Sequence, residues 1–416
     1  KARVAFESTV RDRIDPALLE QSKGNNYKAR VYPIPGKGYK RVVLAYQQKL
    51  IFNNNSYYYK IPFDFKNKLD EFTLSIDILN QKNKPILSQG LLNDFIYNPK
   101  KNSYSASIYR KRVRVRKPTL IKIPLNADRS KLIETKEYFY YAKQINVENG
   151  KIKKAKEVSI FWDSSLSQKN KKVDTEIEFL EKFFKSNKNI KVNFILFHFK
   201  NQEKTIFNIK NGDWSALKRR LVNINFDGAT SYDFLNEYND NADTHFIFTN
   251  GLNTLGNEKL QFKTTTHIVN SLTSANHDLL KSIANLSGGK YINLQQSSIK
   301  NALEKISNKP VQIIGTNITD NEIELYPKVG SVISNSISLS GKKNSRMSDI
   351  KVYLGSGNDT LSVVQFQLSN KLYSTGIVKT LWAQTKLKSL VLNPNVDEKQ
   401  IIRFKQSFIC TVRKTK

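Results

Sequence analysis

Asp163, Ser165 and Ser167 fall at alternate positions of the stretch VSIFWDSSLS, residues 158–167. Carboxylate and hydroxyl oxygens are the hard ligands that calcium, magnesium and manganese prefer, and three of them on a tight turn can converge on one such cation. The apolar run before Asp163 reads as a strand, so the acid stands at a strand end. Asp and Ser also cap helices and make turns without any metal, so the pentapeptide alone leaves both roles open.

Other chemistries find little support. His198, His245, His267 and His277 lack H-x-x-x-H or any other ligand spacing, and three of them lie in or beside apolar runs, where a satisfied structural histidine is expected. Cys410 is the sole cysteine, which excludes an internal disulfide, and its apolar surroundings (Phe408 to Val412) point to packing over nucleophilic use. GLNTLGNEK and GKGYK have neither the spacing nor the setting of a phosphate loop. No enzymatic activity is expected.

The densest basic stretch is YRKRVRVRKP, residues 109–118, where Arg112, Arg114 and Arg116 alternate with Val113 and Val115. On a strand this puts arginine on one face and valine in the core, and the arginine face is a candidate anion site for phosphates or acidic glycans. A solvated strand face is the simpler reading, because no basic-aromatic interleaving of the single-strand-binding kind accompanies it. Nucleic acid is therefore not the expected partner.

These residues need elements to hold them. Val158 to Trp162, Val192 to Phe199, His245 to Phe248 and Thr266 to Val269 read as strands buried on both faces, since polar alternation is missing. Helical patterns lie between them: Asp174 to Phe184, with Ile177, Leu180, Phe183 and Phe184 on one face, then Trp214 to Leu221, Tyr232 to Tyr238, and His277 to Leu286 ending at Gly288-Gly289. Alternating strands and helices imply a doubly wound, Rossmann-like parallel sheet, whose ligands sit at the carboxyl ends of its strands.

The D-x-S-x-S spacing resembles the first element of the metal-ion-dependent adhesion site of von Willebrand factor A domains. The resemblance extends to NINFDGATSYDFL, where Gly228 and Thr230 match the family's threonine turn, and to FIFTNGLNT, where Asn250 stands in place of the family's strand-terminal aspartate. It implies that Asp163, Ser165, Ser167 and Thr230, with Asn250, coordinate a divalent cation (magnesium, calcium or manganese), and that an acidic side chain of a partner protein completes its shell. Asn250 brings an oxygen without a charge, leaving Asp163 as the sole anionic ligand, so weak binding or none is expected.

Residues 1–50 resemble a vault protein inter-α-trypsin (VIT) domain, through Asp15 to Glu20, Gly24 to Asn26, Tyr32 to Pro35 and Lys40 to Tyr46. Ala2 to Val10 is helix-compatible, and strands are expected at Tyr27 to Tyr32, Arg41 to Tyr46, Tyr57 to Ile61, Phe72 to Leu79, Tyr104 to Tyr109, Lys111 to Arg116 and Leu120 to Ile123. Beyond Pro310 short β-runs return, namely Val311 to Ile314, Glu322 to Tyr326, Ile337 to Leu339, Ile350 to Leu354 and Leu361 to Leu368, followed by a helix in KTLWAQTKLKSL; in the same family a W-A-x-x-K helix follows the A domain. The expected division is an antiparallel β-rich VIT domain at 1–157, N-terminally cut, an A domain at 158–307, and a truncated β-sandwich-like region with a helix at 308–416. The combination is similar to bacterial, Bacteroidetes-like relatives of inter-α-trypsin inhibitor heavy chains.

A chain of 416 residues can hold two to four cores. Its net charge of +32 is uneven: Lys and Arg outnumber Asp and Glu by 33 to 14 in 1–157, by 19 to 15 in 158–307 and by 16 to 7 in 308–416. A field that attracts an acidic partner would arise from the N-terminal part. No run approaches the ~20 apolar residues of a membrane helix. The resemblance implies a secreted or cell-envelope protein, at the periplasm or outer-membrane surface, with any signal segment outside this chain. The expected function is protein binding or adhesion through the metal crown. The alternatives are an envelope scaffold binding acidic polymers through the basic N-terminal surface, and a nucleic-acid binder.

Overall fold

The apolar runs of the middle third must be covered on both faces. A computed structural model describes the chain from residue 17 to residue 408 apart from short stretches, among them 23–25, 46–49, 125–129 and 370–376. In it β1 (Glu157–Asp163), β2 (Ile190–Phe197), β3 (Gln202–Ile209), β4 (Thr244–Phe248), β5 (Thr266–Asn270) and β6 (Tyr291–Asn293) form one sheet in the order β3-β2-β1-β4-β5-β6. Every neighbouring pair is parallel except β3, which runs antiparallel on β2. In the unexpected β3, QEKTIFNI, the residues from Lys204 to Ile209 alternate between exposed and more buried, as in a half-exposed edge strand.

The helices are α1 (Val173–Ser186), α2 (Ser215–Val222), α3 (Asp233–Glu237), α4 (His277–Leu286) and α5 (Ile299–Ser307). Ile177, Leu180, Phe183 and Phe184 of α1 pack with Leu217 of α2 and Ala302 of α5 on Val158, Ile160 and Trp162. On the other face Leu235 of α3 and Leu280, Ile283 and Ala284 of α4 cover Phe161, Ile195, Ile247 and Ile268. Each large apolar side chain so buried contributes about 1.5–3 kcal/mol. Asn276 caps α4 by accepting from Leu279 N–H at 3.3 Å. The helix is followed by Gly288 at φ 74° and by Gly289, where a Cβ would stand 1.9 Å from the Thr266 carbonyl oxygen. Only glycine lets the chain pass so close to β5.

The N-terminal third is antiparallel. Ile51–Asn53, Ser56–Ile61, Thr119–Pro124 and Ile86–Gln89 form one sheet, and Leu69–Leu79, Ser103–Val113 and Ile96–Asn98 another, around Phe72, Phe95, Ala106, Ile108, Val115 and Ile121. Ala17–Ser22 pairs with Asn26–Val31. The helix expected at 2–10 lies outside the described residues, and 41–45, expected as a strand, carries none. The two strands expected at 104–109 and 111–116 are a single one, Ser103–Val113, with Arg112 at φ 48° just before its end.

The sheet pairing crosses the division expected near residues 157 and 308. Strand Tyr138–Gln144 pairs with Lys131–Glu134 on one side and with Ser336–Lys342 on the other, and Glu324–Tyr326 completes that sheet. Val311–Ile318, Ser348–Ser356, Asp359–Leu368 and Val332–Ile333 form the facing sheet. Phe139, Tyr141, Ile313, Leu339, Val352 and Phe366 lie in the core they share, with Tyr141 stacked on Phe366 at 4.1 Å. The central α/β unit is therefore inserted into a β-sandwich whose strands come from both flanks. Its two connections run side by side, Ile152 N–H donating to Ser307 O at 2.9 Å and Lys309 N–H to Gly150 O at 2.8 Å. Local β-propensity marks a strand but not its distant partner, which is why the sequence reading placed 131–144 with the N-terminal sheets. Among the described residues no helix is long and apolar enough to cross a membrane.

Candidate functional site

β1 carries Asp163 at its last position, and the chain then enters a single 3-10 turn, Leu166–Gln168. Ser165 N–H donates to Asp163 Oδ1 at 3.0 Å, and the Ser165 and Ser167 hydroxyls lie 3.1 Å apart. Asn250, two residues past the end of β4, donates from Nδ2 to the Ser167 carbonyl at 3.3 Å and to its hydroxyl at 3.2 Å, while its Oδ1 is 3.4 Å from Ser167 Oγ. The first loop and the strand end proposed from sequence therefore meet.

Thr230 is tied in by backbone. Asp227 N–H donates to Ser164 O at 2.9 Å and Leu166 N–H to Gly228 O at 3.0 Å, which lays the 227–230 loop on the Asp163 turn. Thr230 N–H donates to Thr254 Oγ1 at 2.7 Å, and its carbonyl accepts from Thr254 and Leu255 N–H at 3.1 and 3.0 Å. The Thr230 hydroxyl itself is buried and has no hydrogen-bond partner, although its main chain is held on both sides. A buried polar oxygen left unpaired costs about 1–3 kcal/mol, so its retention asks for a role.

Several residues that shape the crown escaped the sequence reading. Thr249 Oγ1 donates to Asp163 Oδ2 at 2.6 Å, and Gln168 Nε2 donates to the same oxygen at 3.1 Å. Thr249 in turn lies 2.8 Å from the Tyr232 hydroxyl. Its position directly before Asn250 at an apolar strand end was the available signal. Lys171 and Glu176 are fully buried beside the crown, paired at 3.1 Å, with Ser271 Oγ donating to Glu176 at 2.7 Å. Nothing in a lysine-rich sequence distinguishes that lysine from a surface one.

Burial dominates the electrostatics. It pushes the Asp163 carboxyl above its ordinary range, against the hydrogen bonds from Thr249 and Ser165 and the nearby Lys171 ammonium. Desolvation likewise raises the Glu176 carboxyl and lowers Lys171. Among the described residues no group of three or more His, Cys, Asp and Glu side chains forms a metal-ligand cluster, so a cation at the crown would rest on one carboxylate with hydroxyl and amide oxygens. That oxygen donor set suits a hard divalent cation in kind, and the unpartnered Thr230 hydroxyl supplies a free ligand atom.

The other sequence-derived candidates lie elsewhere. Arg112, Arg114 and Arg116 are exposed while Val115 is buried, so the alternation holds, but the strand stops at Val113 and the last two arginines extend past it. Arg116 donates to the Lys66 carbonyl at 3.4 Å. Three of the histidines have structural partners: buried His245 has Nε2 3.0 Å from Asp240, buried His267 Nδ1 accepts from Lys290 N–H at 3.0 Å, and half-buried His277 has Nδ1 2.6 Å from the Tyr291 hydroxyl. Cys410 lies outside the described residues.

No family model matches the chain, and no curated protein matches it. Among solved structures, an aerotolerance-related membrane protein from Bacteroides fragilis NCTC 9343, carrying multiple mutations to serines, aligns with 36% of this chain and 96% of its own. The two are 16% identical with a TM-score of 0.28, a likeness on which no conclusion about this chain rests.

Proposed function

We propose that the central unit is a von Willebrand A-type binding module and that its crown, formed by Asp163, Ser165, Ser167, Thr230 and Asn250, holds a divalent cation through which an acidic side chain of a partner protein is captured. The observation that carries this reading is the buried, unpartnered Thr230 hydroxyl beside the Asp163 turn. When bound, the cation supplies a positive charge that a carboxylate can ligate. The chain's own residues orient the donors. Thr249 and Gln168 fix the Asp163 carboxylate, Asn250 fixes Ser167, and the backbone clamp on Thr230 leaves its hydroxyl free.

Apolar side chains border the crown and suit a protein partner. Leu166, Phe199 and Leu255 are exposed, and a half-open cavity of about 400 Å³, lined by Leu196, Phe199, Ile224, Asp227 and Arg220 among others, adjoins Ser164 and Gly228. In this reading the N-terminal sheets are a VIT domain, the protein works at the cell envelope or is secreted, and no reaction is catalysed.

A second reading rests on the exposed arginines at 112, 114 and 116, a surface for acidic polymers. Capture of a natural partner separates the two. Crown binding should be abolished by chelator and depend weakly on salt, whereas counterion release makes the arginine surface lose affinity steeply as salt rises. Replacing the three arginines with serine is expected to leave capture within about 1 kcal/mol. A far larger loss, with chelator having no effect, would replace the crown reading with the arginine one.

A further inference from the structure

Lys171 is out of place for a lysine. Its side chain is wholly buried, its ammonium lies 3.7 Å from the centroid of the Trp162 ring, and Trp162 immediately precedes Asp163. Glu176 of α1 pairs with it at 3.1 Å and is itself held by Ser271 Oγ at 2.7 Å. Ser271 also accepts from Lys172 N–H at 3.1 Å, so one hydroxyl positions both the glutamate and the loop that carries the lysine. That loop also brings Gln168 to Asp163: Lys171 N–H donates to the Gln168 carbonyl at 2.9 Å and Gln168 Nε2 to Asp163 at 3.1 Å.

A buried ion pair is at best a weak source of stability, because desolvation offsets its Coulomb attraction. An apolar pair of similar volume would serve the packing on Trp162 as well. What the pair does provide is a fixed charge next to a buried carboxylate, where screening by water is poor. With both carboxyls ionised and the ammonium protonated, Asp163, Lys171 and Glu176 together carry one net negative charge; without the lysine they would carry two.

We infer that Lys171 is the internal counter-cation of the crown, a positioning residue whose buried ammonium sets how tightly the Asp163 cluster holds a divalent cation. The inference rests on the cation-crown reading above. Lys171 keeps that affinity low by opposing the incoming charge, and Glu176 holds the ammonium in place while offsetting part of its field. Affinity should accordingly follow the charge count of the buried trio instead of the integrity of the fold.

Titration with Mn²⁺ alone, followed by water-proton relaxation and accompanied by thermal melts, tests this in four proteins. Lys171→Met, with two net negative charges, should bind on the order of tenfold more tightly than the parent. The double variant Lys171→Met/Glu176→Gln restores one net negative charge and should return close to the parent. Glu176→Gln, with none, should bind more weakly. A structural role for the pair would instead weaken binding in all three variants, or leave it unchanged, and either result overturns the inference. If Lys171→Met melts too low to measure, the contrast between the double variant and Glu176→Gln still decides it, and equal affinities there overturn it. Binding by Lys171→Met but not by the parent would support the inference while removing the proposed function of the native crown. Binding by the parent with no dependence on the charge series would do the reverse, and no binding by any of the four would end both.

Discussion

Thr249 donates its hydroxyl to Asp163 Oδ2 at 2.6 Å and thereby joins the ends of two adjacent parallel strands, β4 and β1, at the one buried carboxylate of the crown. Thr249→Val keeps the shape and removes the donor. It should cost about 1.5–3 kcal/mol of unfolding free energy in urea titrations, the scale of one hydrogen bond to a charged group, with Gln168 Nε2 still donating to the same oxygen. Thr249→Ser should retain most of the stability; equal losses in the two variants would mean that packing, not the hydrogen bond, holds this site.

Asn250 uses its amide nitrogen to hold Ser167 at both carbonyl and hydroxyl, and an aspartate has no hydrogen to donate there. Asn250→Asp should therefore lower the melting temperature in chelator, where a second carboxylate faces Asp163 without compensation. Added Mg²⁺ or Mn²⁺ should raise it again by more than in the parent, since the new ligand is charged. Identical melts with and without cation would show that position 250 does not face the site.

His267 governs an acid limb of stability. Its Nδ1 accepts from Lys290 N–H at 3.0 Å, which only a neutral ring can do, and burial pushes its pKa from 6.5 down to about 3. The folded protein thus binds fewer protons than the unfolded chain between those values, and stability falls as pH drops through that window. The loss approaches about 1.4 kcal/mol per pH unit well below 6.5. His267→Gln should flatten the dependence between pH 6 and pH 4, as read by melts; an unchanged slope would assign the acid limb to other groups.

Lys386 joins the helix Ile377–Leu392 to the sandwich. Its ammonium is 2.6 Å from Glu324 and lies 5.1–5.6 Å from the ring centroids of Trp382, Phe404 and Tyr326. Both partners are about a quarter exposed, which leaves a modest electrostatic share. Lys386→Met should lose about 1–2 kcal/mol, mostly cation-π and ion-pair energy, and amide exchange should accelerate in this helix before it does in the sandwich core. Uniform acceleration would show that the helix is not a separate unit.

What the sequence made legible was whatever local pattern encodes. Continuous apolar runs gave the buried strands around Ile160 and Phe246, and α1 and α4 followed from helical spacing with glycines after α4. The alternating oxygens of Asp163, Ser165 and Ser167 marked a strand-end cluster, and the structure brings Asn250 to it. Long-range pairing was not legible: Phe139 and Tyr141 look like any aromatic strand residues, yet they pack with Val364 and Phe366 more than two hundred residues away. Lys171 and Glu176 were hidden for a related reason, since burial of a charge is a property of the fold and not of spacing.

The most direct measurement is calorimetric titration of the parent and of Asp163→Asn with Mn²⁺, the variant keeping the shape of the side chain while removing the crown's one ligand charge. The crown reading predicts a single saturable site in the parent, with affinity in the weak, about millimolar range of oxygen sites poor in carboxylates, and its loss in Asp163→Asn at unchanged fold. Equal binding by the two proteins, or none by the parent at about 10 mM Mn²⁺, would contradict it.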